Sequence, residues 1–236
     1  MKTFFALLLL LASPLSFAQS SLQTDLPLQY LEQAGNGEPD QPLVIFLHGY
    51  GSDEVDLFGL KDDLPQGATY LSVRAPLALD GGGYQWFTPA RQSPEYEGVI
   101  ADVDKSEQLI VEFIAGAAAK YHTRAERVTL VGFSQGAIMS YQVALHHPRS
   151  VGAIAALSGK LLAPLDAALK ADPRYASVRF FIGHGTADGV LPIGGASHAD
   201  QRLRAIGITP QFHAYPGLRH SISAAEVNDL RLWLAR

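Results

Sequence analysis

The sequence contains no cysteine among its 236 residues. Disulfide bonds are therefore excluded, and the fold must be held together by a hydrophobic core. A chain of this length can bury such a core, because apolar residues make up 47% of it and charged residues only 17%. This composition is typical of a globular protein and argues against disorder.

Clusters of basic residues are also missing. The chain has 18 Lys and Arg against 23 Asp and Glu, which gives a formal net charge of −5. No basic run offers a surface for nucleic-acid phosphates or for anionic lipid headgroups. We therefore expect no nucleic-acid partner.

The chain also lacks an apolar run long enough to span a bilayer. The apolar segment 4–11 falls short of the ~20 residues that a spanning helix needs. It follows Lys2 and precedes the small residues Ser16 and Ala18, an arrangement typical of a signal peptide cleaved after Ala18. We predict an exported protein, periplasmic or secreted, whose mature chain 19–236 does not insert stably into a membrane. The alternative is an N-terminal membrane anchor.

Short apolar runs alternate with amphipathic stretches along the rest of the chain. The runs have the length and composition of buried parallel strands, and the stretches have helical periodicity. Ser223 and Glu226 form a capping-box pattern before the last stretch. This alternation predicts a single α/β domain with a doubly wound, mostly parallel sheet. The predicted strands are 42–49, 68–73, 127–133, 151–159, 178–185 and 210–217, and the predicted helices are 101–121, 134–146, 194–206 and 223–235.

One predicted transition from strand to helix carries a serine between two glycines. The stretch VTLVGFSQGAIMS places Ser134 between Gly132 and Gly136. A turn of this kind strains the backbone of its central residue, and side chains two positions away collide with the neighbouring backbone unless those residues are glycine. The pattern favours a nucleophile elbow that holds Ser134 at the carboxyl edge of the sheet.

Later strand ends supply the partners that a serine nucleophile needs. A serine hydroxyl requires a base to take its proton and a carboxylate to orient that base. Asp188 follows the fifth predicted strand and His220 follows the sixth. The chain order serine, aspartate, histidine is typical of α/β-hydrolases. We therefore predict that Ser134, Asp188 and His220 form a catalytic triad.

Other acids and histidines compete for these roles. Asp166, Asp172 and Asp200 lie in helical or loop stretches away from strand ends, as surface aspartates usually do. His48 and His184 occur in His-Gly turns, and we expect them to shape loops rather than to transfer protons. No cluster has zinc-ligand spacing, so we expect no metal. We also expect no cofactor, because neither acylation of a serine nor deacylation by water requires one.

Acyl transfer also requires two hydrogen-bond donors for the oxyanion that develops on the substrate. One donor normally comes from the residue after the nucleophile, and the other from a loop that follows an earlier strand. The backbone N–H groups of Gln135 and Tyr50 have these positions. The alternative for the stretch HGYGS around Tyr50 is a plain glycine-rich turn.

Several stretches, taken together, resemble the successive motifs of the phospholipase/carboxylesterase family, relatives of acyl-protein thioesterases. They are LHGYGSDEVDLFGL, SVRAPLALDGGGYQWF, LVGFSQGAIMS, ALSGKL, GHGTADGVLPI and YPGLRHSIS, and the similarity runs from about Leu28 to the C terminus. The resemblance implies the α/β-hydrolase fold and assigns the triad and oxyanion donors to the residues named above. It also places Trp86 and Phe87 near the site as a wall of an acyl pocket, although these aromatics would equally suit a satellite core.

We therefore predict an exported serine carboxylesterase that hydrolyses small-molecule esters with short- to medium-chain acyl groups. Only the segment 160–177 separates two strands at the position where many lipases insert a lid, so we expect no large cap domain. A lysophospholipase or thioesterase, a serine peptidase of the same fold and a non-catalytic binding protein are the alternatives. The sequence leaves the natural ester and the oligomeric state open.

Overall fold

The computed structural model of the protein describes residues 21–90 and 96–236. The predicted signal peptide, residues 1–18, lies outside the described residues, so its cleavage stays a prediction. Among the residues that are described, no helix combines the length and apolar composition needed to cross a membrane.

Seven strands in the described chain form the central sheet, and two more form a small hairpin. Their bounds are β1 Tyr30–Gln33, β2 Leu43–Leu47, β3 Thr69–Val73, β4 Leu77–Ala78, β5 Tyr84–Gln85, β6 Val128–Phe133, β7 Ala153–Leu157, β8 Arg179–Gly185 and β9 Gln211–Tyr215. The central order is β1-β3-β2-β6-β7-β8-β9, and β4 pairs with β5. Every neighbouring pair in the central sheet is parallel except β1 with β3, which is antiparallel.

Helices cover both faces of the sheet, as the doubly wound prediction requires. They are α1 Ile100–Lys120, α2 Gln135–His146, α3 Ala163–Ala168, α4 Gly194–Ala205 and α5 Ala224–Leu234. Buried residues of α1, α2, α3 and α4 belong to one hydrophobic cluster, and those of α5 belong to a second cluster. The predicted α/β fold without a large cap is confirmed.

Each of the six predicted parallel strands and four predicted helices is present, with ends that differ by a few residues. The sequence reading missed β1, whose composition is mixed because it lies at the sheet edge. It also missed the hairpin of β4 and β5, since two-residue strands leave no periodicity to detect.

The connection between β7 and β8 contains α3 and a 3₁₀ turn, Pro173–Ser177. Both are short elements that pack against the body of the domain through Leu165 and Tyr175. The segment therefore adds no layer over the carboxyl edge of the sheet, where the predicted site lies.

The last helix begins with half of the predicted capping box. Ser223 Oγ accepts the backbone N–H of Glu226 at 3.2 Å. The Glu226 side chain does not return the bond: it is fully buried, and within the described chain neither carboxylate oxygen has a hydrogen-bond partner. Glu226 instead lies against Gly183 of β8. A Cβ atom added to Gly183 would lie 2.2 Å from Oε1 of Glu226. Burial raises the pKa of Glu226 to about 7.

Candidate active site

Ser134 lies between the end of β6 and the start of α2 with a strained backbone. Its φ of 54° and ψ of −115° are unusual for a residue with a side chain. The Ser134 N–H donates to the carbonyl of Leu157, at the end of the neighbouring strand β7, over 3.0 Å. This geometry is the predicted strand-to-helix elbow.

The glycines on either side of Ser134 are required by close backbone contacts. A Cβ atom at Gly132 would lie 2.2 Å from the carbonyl oxygen of Gly136, and one at Gly136 would lie 1.9 Å from the carbonyl oxygen of Leu47. Atoms at these separations overlap, so any larger residue would push α2 away from the sheet. The two glycines therefore let α2 start directly beneath the strand ends.

The structure brings Ser134, His220 and Asp188 into one hydrogen-bonded chain. His220 Nε2 lies 2.9 Å from Ser134 Oγ, and His220 Nδ1 lies 2.7 Å from Asp188 Oδ2. When Nδ1 carries the proton donated to the carboxylate, Nε2 is left to accept the serine O–H. Phe133 packs beside the imidazole with ring centroids 4.9 Å apart, which limits its rotation.

Asp188 is held by backbone donors as well as by His220. Its Oδ1 accepts the N–H of Val190 at 2.8 Å and the N–H of Leu191 at 2.9 Å. Burial alone would raise the pKa of Asp188, but the bonds from His220, Leu191 and Val190 outweigh it and hold the pKa below its usual value. Asp188 is therefore an ionised, fixed carboxylate at neutral pH.

The two histidines in His-Gly turns have structural contacts. His48 Nδ1–H donates to the carbonyl of Gly49 at 2.7 Å, and its Nε2 accepts the N–H of Ala75 at 3.1 Å. His184 Nε2–H donates to the carbonyl of Leu191 at 2.7 Å. Burial lowers the pKa of both rings, which are neutral as a result. Both histidines thus hold loops that border the site.

The candidate oxyanion donors are the backbone N–H groups of Gln135 and of Tyr50, which lies on the turn after β2. Gln135 is the first residue of α2, so its N–H has no carbonyl partner within the helix. The Tyr50 N–H has no acceptor among the described residues, whereas its neighbours Gly51 and Ser52 both donate within the fold. The loop of Tyr50 lies beside the nucleophile, because a Cβ atom at Gly49 would be 3.3 Å from Ser134 Cβ.

The side chain of Gln135 has contacts that the sequence reading missed. Its Oε1 accepts the N–H of Trp86 at 2.9 Å, and its Nε2 donates to the carbonyl of Phe87 at 2.8 Å and to the hydroxyl of Tyr96 at 2.9 Å. These partners are 39 to 49 residues away in sequence, so no local pattern indicates them. Gln135 thereby attaches the aromatic loop to the start of α2.

Trp86 and Phe87 lie next to the nucleophile helix, but both side chains are fully buried. The indole N–H of Trp86 donates to the carbonyl of His48 at 2.9 Å, and the backbone carbonyl of Trp86 accepts the Ser106 hydroxyl. Their burial favours the alternative that these aromatics fill a core. Direct contact with a substrate stays a prediction for both.

The competing aspartates form ion pairs away from this chain of residues. Asp166 binds Arg202, Asp172 binds Arg174, and Asp200 binds Arg204. In the part of the chain that the structure describes, none of these three carboxylates contacts a histidine that also contacts a serine hydroxyl. Within residues 21–90 and 96–236, no group of three or more acidic or histidine side chains is arranged to hold a metal ion.

A cavity of about 440 Å³ lies at the opposite end of the sheet, beneath the starts of the strands. Its charged lining consists of Glu126, Arg127, Arg179 and Arg236, and no nucleophile with a paired base is among its residues. The cavity at the amino-terminal edge of the sheet therefore lacks the paired nucleophile and base that are found at Ser134.

The strand order and the place of Ser134 within it define the α/β-hydrolase class of fold. Within this class, the chain belongs to the phospholipase/carboxylesterase family, whose family model matches residues 30–236.

Known relatives extend over most of the chain. An acyl-protein thioesterase 1 of Debaryomyces hansenii is 27% identical over 83% of this chain and 91% of its own length. A probable inactive carboxylesterase of Oryza sativa is 25% identical over 87% of this chain and 89% of its own length. The crystal structure of a carboxylesterase from Mesorhizobium loti matches with a TM-score of 0.77 and 25% identity, covering 92% of this chain and 98% of that one. The family thus contains esterases, thioesterases and a relative described as inactive.

Proposed function

We propose that the protein is a serine carboxylesterase that hydrolyses small-molecule esters. The observation that carries this proposal is the chain of contacts from Ser134 Oγ to His220 at 2.9 Å and from His220 to Asp188 at 2.7 Å. A binding protein has no physical need for a strained serine aligned with a histidine and an ionised carboxylate. The triad therefore favours activity over the non-catalytic alternative.

In the proposed mechanism, Ser134 Oγ attacks the ester carbonyl while His220 Nε2 takes the hydroxyl proton. Asp188 keeps Nδ1 protonated and stabilises the imidazolium. The backbone N–H groups of Tyr50 and Gln135 stabilise the oxyanion, helped by the positive end of the α2 dipole. His220 then protonates the leaving alcohol, and a water activated by the same ring hydrolyses the acyl-enzyme. No step needs a cofactor.

The surroundings of the site support substrates with short- to medium-chain acyl groups. The β7–β8 connection supplies only α3 and one 3₁₀ turn, so no cap is inserted at that position. Tyr50, on the turn beside Ser134, and Val190, two residues after Asp188, are 51% and 60% exposed, so neither is packed into an enclosing wall. The same chemistry would cleave thioesters and lysophospholipids, and the similarity to an acyl-protein thioesterase supports the thioester as second candidate.

A panel of p-nitrophenyl esters with increasing acyl length, run beside one thioester and one lysophospholipid, tests this proposal. We expect simple saturation on dissolved short- to medium-chain esters and no jump in rate as a substrate passes its solubility limit. Ser134→Ala, assayed in parallel, controls for uncatalysed hydrolysis. A sharp rate increase on emulsified long-chain triglyceride, with little activity on dissolved esters, would contradict the open site.

We also propose that the protein is exported and that residues 19–236 form one mature domain. Support comes from the arrangement of Lys2, the apolar segment 4–11 and the small residues before position 19. N-terminal sequencing of protein recovered outside the cytoplasm should give Gln19 as the first residue. A full-length chain confined to the cytosol would rule export out.

A further inference from the structure

The turn that carries Tyr50 is attached to the β4–β5 hairpin by backbone hydrogen bonds. The Gly51 N–H donates to the carbonyl of Tyr84 at 2.8 Å, and the Tyr84 N–H donates to the carbonyl of Ser52 at 2.8 Å. Gly51 itself has a φ of 78°, a conformation that glycine adopts without strain. The position of the Tyr50 peptide thus depends on where Tyr84 lies.

The hairpin also packs directly on this turn. A Cβ atom at Gly83 would lie 2.1 Å from the carbonyl oxygen of Gly51. The two backbones are therefore in contact, and a displacement of one moves the other.

Arg74 joins the hairpin to the loop that follows Tyr50. It comes directly after β3, and its guanidinium carbon lies 4.6 Å from the centre of the Tyr84 ring. Arg74 Nε donates to Glu54 Oε2 at 2.6 Å, and Nη2 donates to Glu54 Oε1 at 2.5 Å. The third nitrogen, Nη1, donates to Gln29 at 2.9 Å, so all three nitrogens of the guanidinium are hydrogen-bonded.

This ion pair is well shielded from water. The Glu54 side chain is 6% exposed and that of Arg74 is 23% exposed. Burial would raise the pKa of Glu54, but its bonds to Arg74 lower the pKa below the usual value. A shielded ion pair adds little net stability, because the cost of removing both charges from water cancels most of their attraction. Two hydrogen bonds from one arginine to one carboxylate nevertheless fix the relative orientation of the two groups. The arrangement is better suited to holding geometry than to stabilising the fold.

We propose that Glu54, Arg74 and Tyr84, which we call the Arg74 clasp, hold the Tyr50 N–H in the orientation required by the oxyanion. Arg74 is then a positioning residue that acts through Glu54 and Tyr84 without touching the substrate. This inference rests on the proposed function, since only an acyl-transfer reaction needs the oxyanion donor.

Two glycines of the hairpin give a matched pair of variants. Gly83→Ala places a methyl group against the Gly51 carbonyl, whereas a Cβ atom at Gly82 meets no atom within 4 Å. Both positions have positive φ, 77° at Gly83 and 93° at Gly82, so the two variants share the backbone strain and differ in the clash. We expect Gly83→Ala to lower kcat on p-nitrophenyl butyrate by about 10- to 100-fold, less than removal of an oxyanion donor costs. KM should change by less than about threefold, because the ester carbonyl is bound weakly in the ground state.

Inhibition by n-butylboronic acid reports the oxyanion site separately from stability. Its tetrahedral serine adduct places an oxygen where the oxyanion forms, so Gly83→Ala should weaken inhibition by the same factor as kcat. Gly82→Ala should leave both values within about twofold of wild type. Equal effects of the two variants, or a reduced kcat with unchanged boronate affinity, would overturn the clasp.

Arg74→Gln tests the side chain itself, with Arg174→Gln as its control. Arg174 also forms a two-nitrogen pair with a carboxylate, Asp172, at a site remote from Ser134. We expect only Arg74→Gln to lower kcat and boronate affinity together, with Arg74→Lys intermediate because lysine keeps the charge but loses the fork. An unchanged kcat in a folded Arg74→Gln variant would also overturn the proposed role of the clasp. If that variant does not fold, the comparison of Gly83→Ala with Gly82→Ala tests the proposal.

Labelling of the wild-type protein with a fluorophosphonate separates this inference from the proposed function. If the wild-type protein is not labelled at Ser134 and does not hydrolyse esters, both the proposed function and the proposed role of the Arg74 clasp are wrong. If the wild-type protein is labelled at Ser134 and hydrolyses esters, while the Gly83→Ala and Arg74→Gln variants keep an unchanged kcat, only the proposed role of the Arg74 clasp is wrong.

Discussion

His184 Nε2 lies 3.2 Å from Asp188 Oδ2, the same carboxylate oxygen that faces the ring of His220. Two imidazoles therefore approach one acid, and among the described residues only His220 also contacts a serine hydroxyl. Burial lowers the pKa of His184, and its Nε2–H donates to the carbonyl of Leu191, so the neutral ring holds the residue whose own N–H binds Asp188.

This relationship predicts unequal losses for the two histidines. His220→Ala removes the base, so turnover should fall by several orders of magnitude. His184→Gln should cost about tenfold, because it disturbs the hydrogen bond that holds Leu191 beside the carboxylate. Steady-state hydrolysis of p-nitrophenyl butyrate by the two variants checks the order. If His184→Gln proved the more damaging change, His220 would not be the base.

Asp188→Asn tests the acid at constant shape. The amide keeps the size of the carboxylate but favours the wrong histidine tautomer, and kcat should fall by about 10⁴-fold if the site behaves like other triads. Asp166→Asn is the control, since its pair with Arg202 lies on the surface of α3 and α4. Turnover of that control should stay close to wild type, and a larger loss there than in Asp188→Asn would reject the assignment.

Two buried glutamines on α2 give a prediction about stability. Gln135→Leu leaves the Trp86 N–H and the Phe87 carbonyl buried without partners, at about 1–3 kcal/mol for each group. Gln142→Leu removes a buried side-chain oxygen that has no partner in the described chain, so it should be close to neutral. Urea unfolding should show a large decrease in the free energy of unfolding for Gln135→Leu only. Equal decreases would mean that the aromatic loop does not depend on Gln135.

Glu226 predicts a pH-dependent stability. Burial raises its pKa from 4.5 to about 7, so its protonated form is favoured in the folded state. The stability that this group contributes is present below pH 4.5 and is lost as pH rises towards about 7. Glu226→Gln cannot ionise, so its free energy of unfolding relative to wild type should increase between about pH 4 and pH 8, by on the order of 3 kcal/mol. Parallel profiles for the two proteins would show that Glu226 does not titrate in this range.

Local sequence patterns predicted much of the candidate site. The glycines around Ser134 indicate the elbow because their spacing reflects a backbone contact within a few residues of the serine. Asp188 and His220 were predicted from strand ends, because parallel strands bring their carboxyl ends to the same edge. The buried parallel strands themselves were visible as apolar runs, since both faces of each strand are covered.

Contacts between distant polar residues could not be predicted in this way. The amide of Gln135 reaches across 49 residues to Trp86, and Arg74 reaches back 20 residues to Glu54. Neither pair has a spacing that a helix or strand imposes, so tertiary packing alone determines them. The burial of Trp86 is a similar case, because the same aromatic would serve a core or a pocket wall.

Covalent labelling tests the central claim most directly. Incubation of the mature protein with an alkyl fluorophosphonate, followed by intact mass measurement and peptide mapping, shows which side chain is nucleophilic. We expect one adduct per chain, on Ser134, formed in parallel with the loss of esterase activity and absent from Ser134→Ala. Ester hydrolysis that survives complete modification of Ser134, or an adduct on a different residue, would contradict the account.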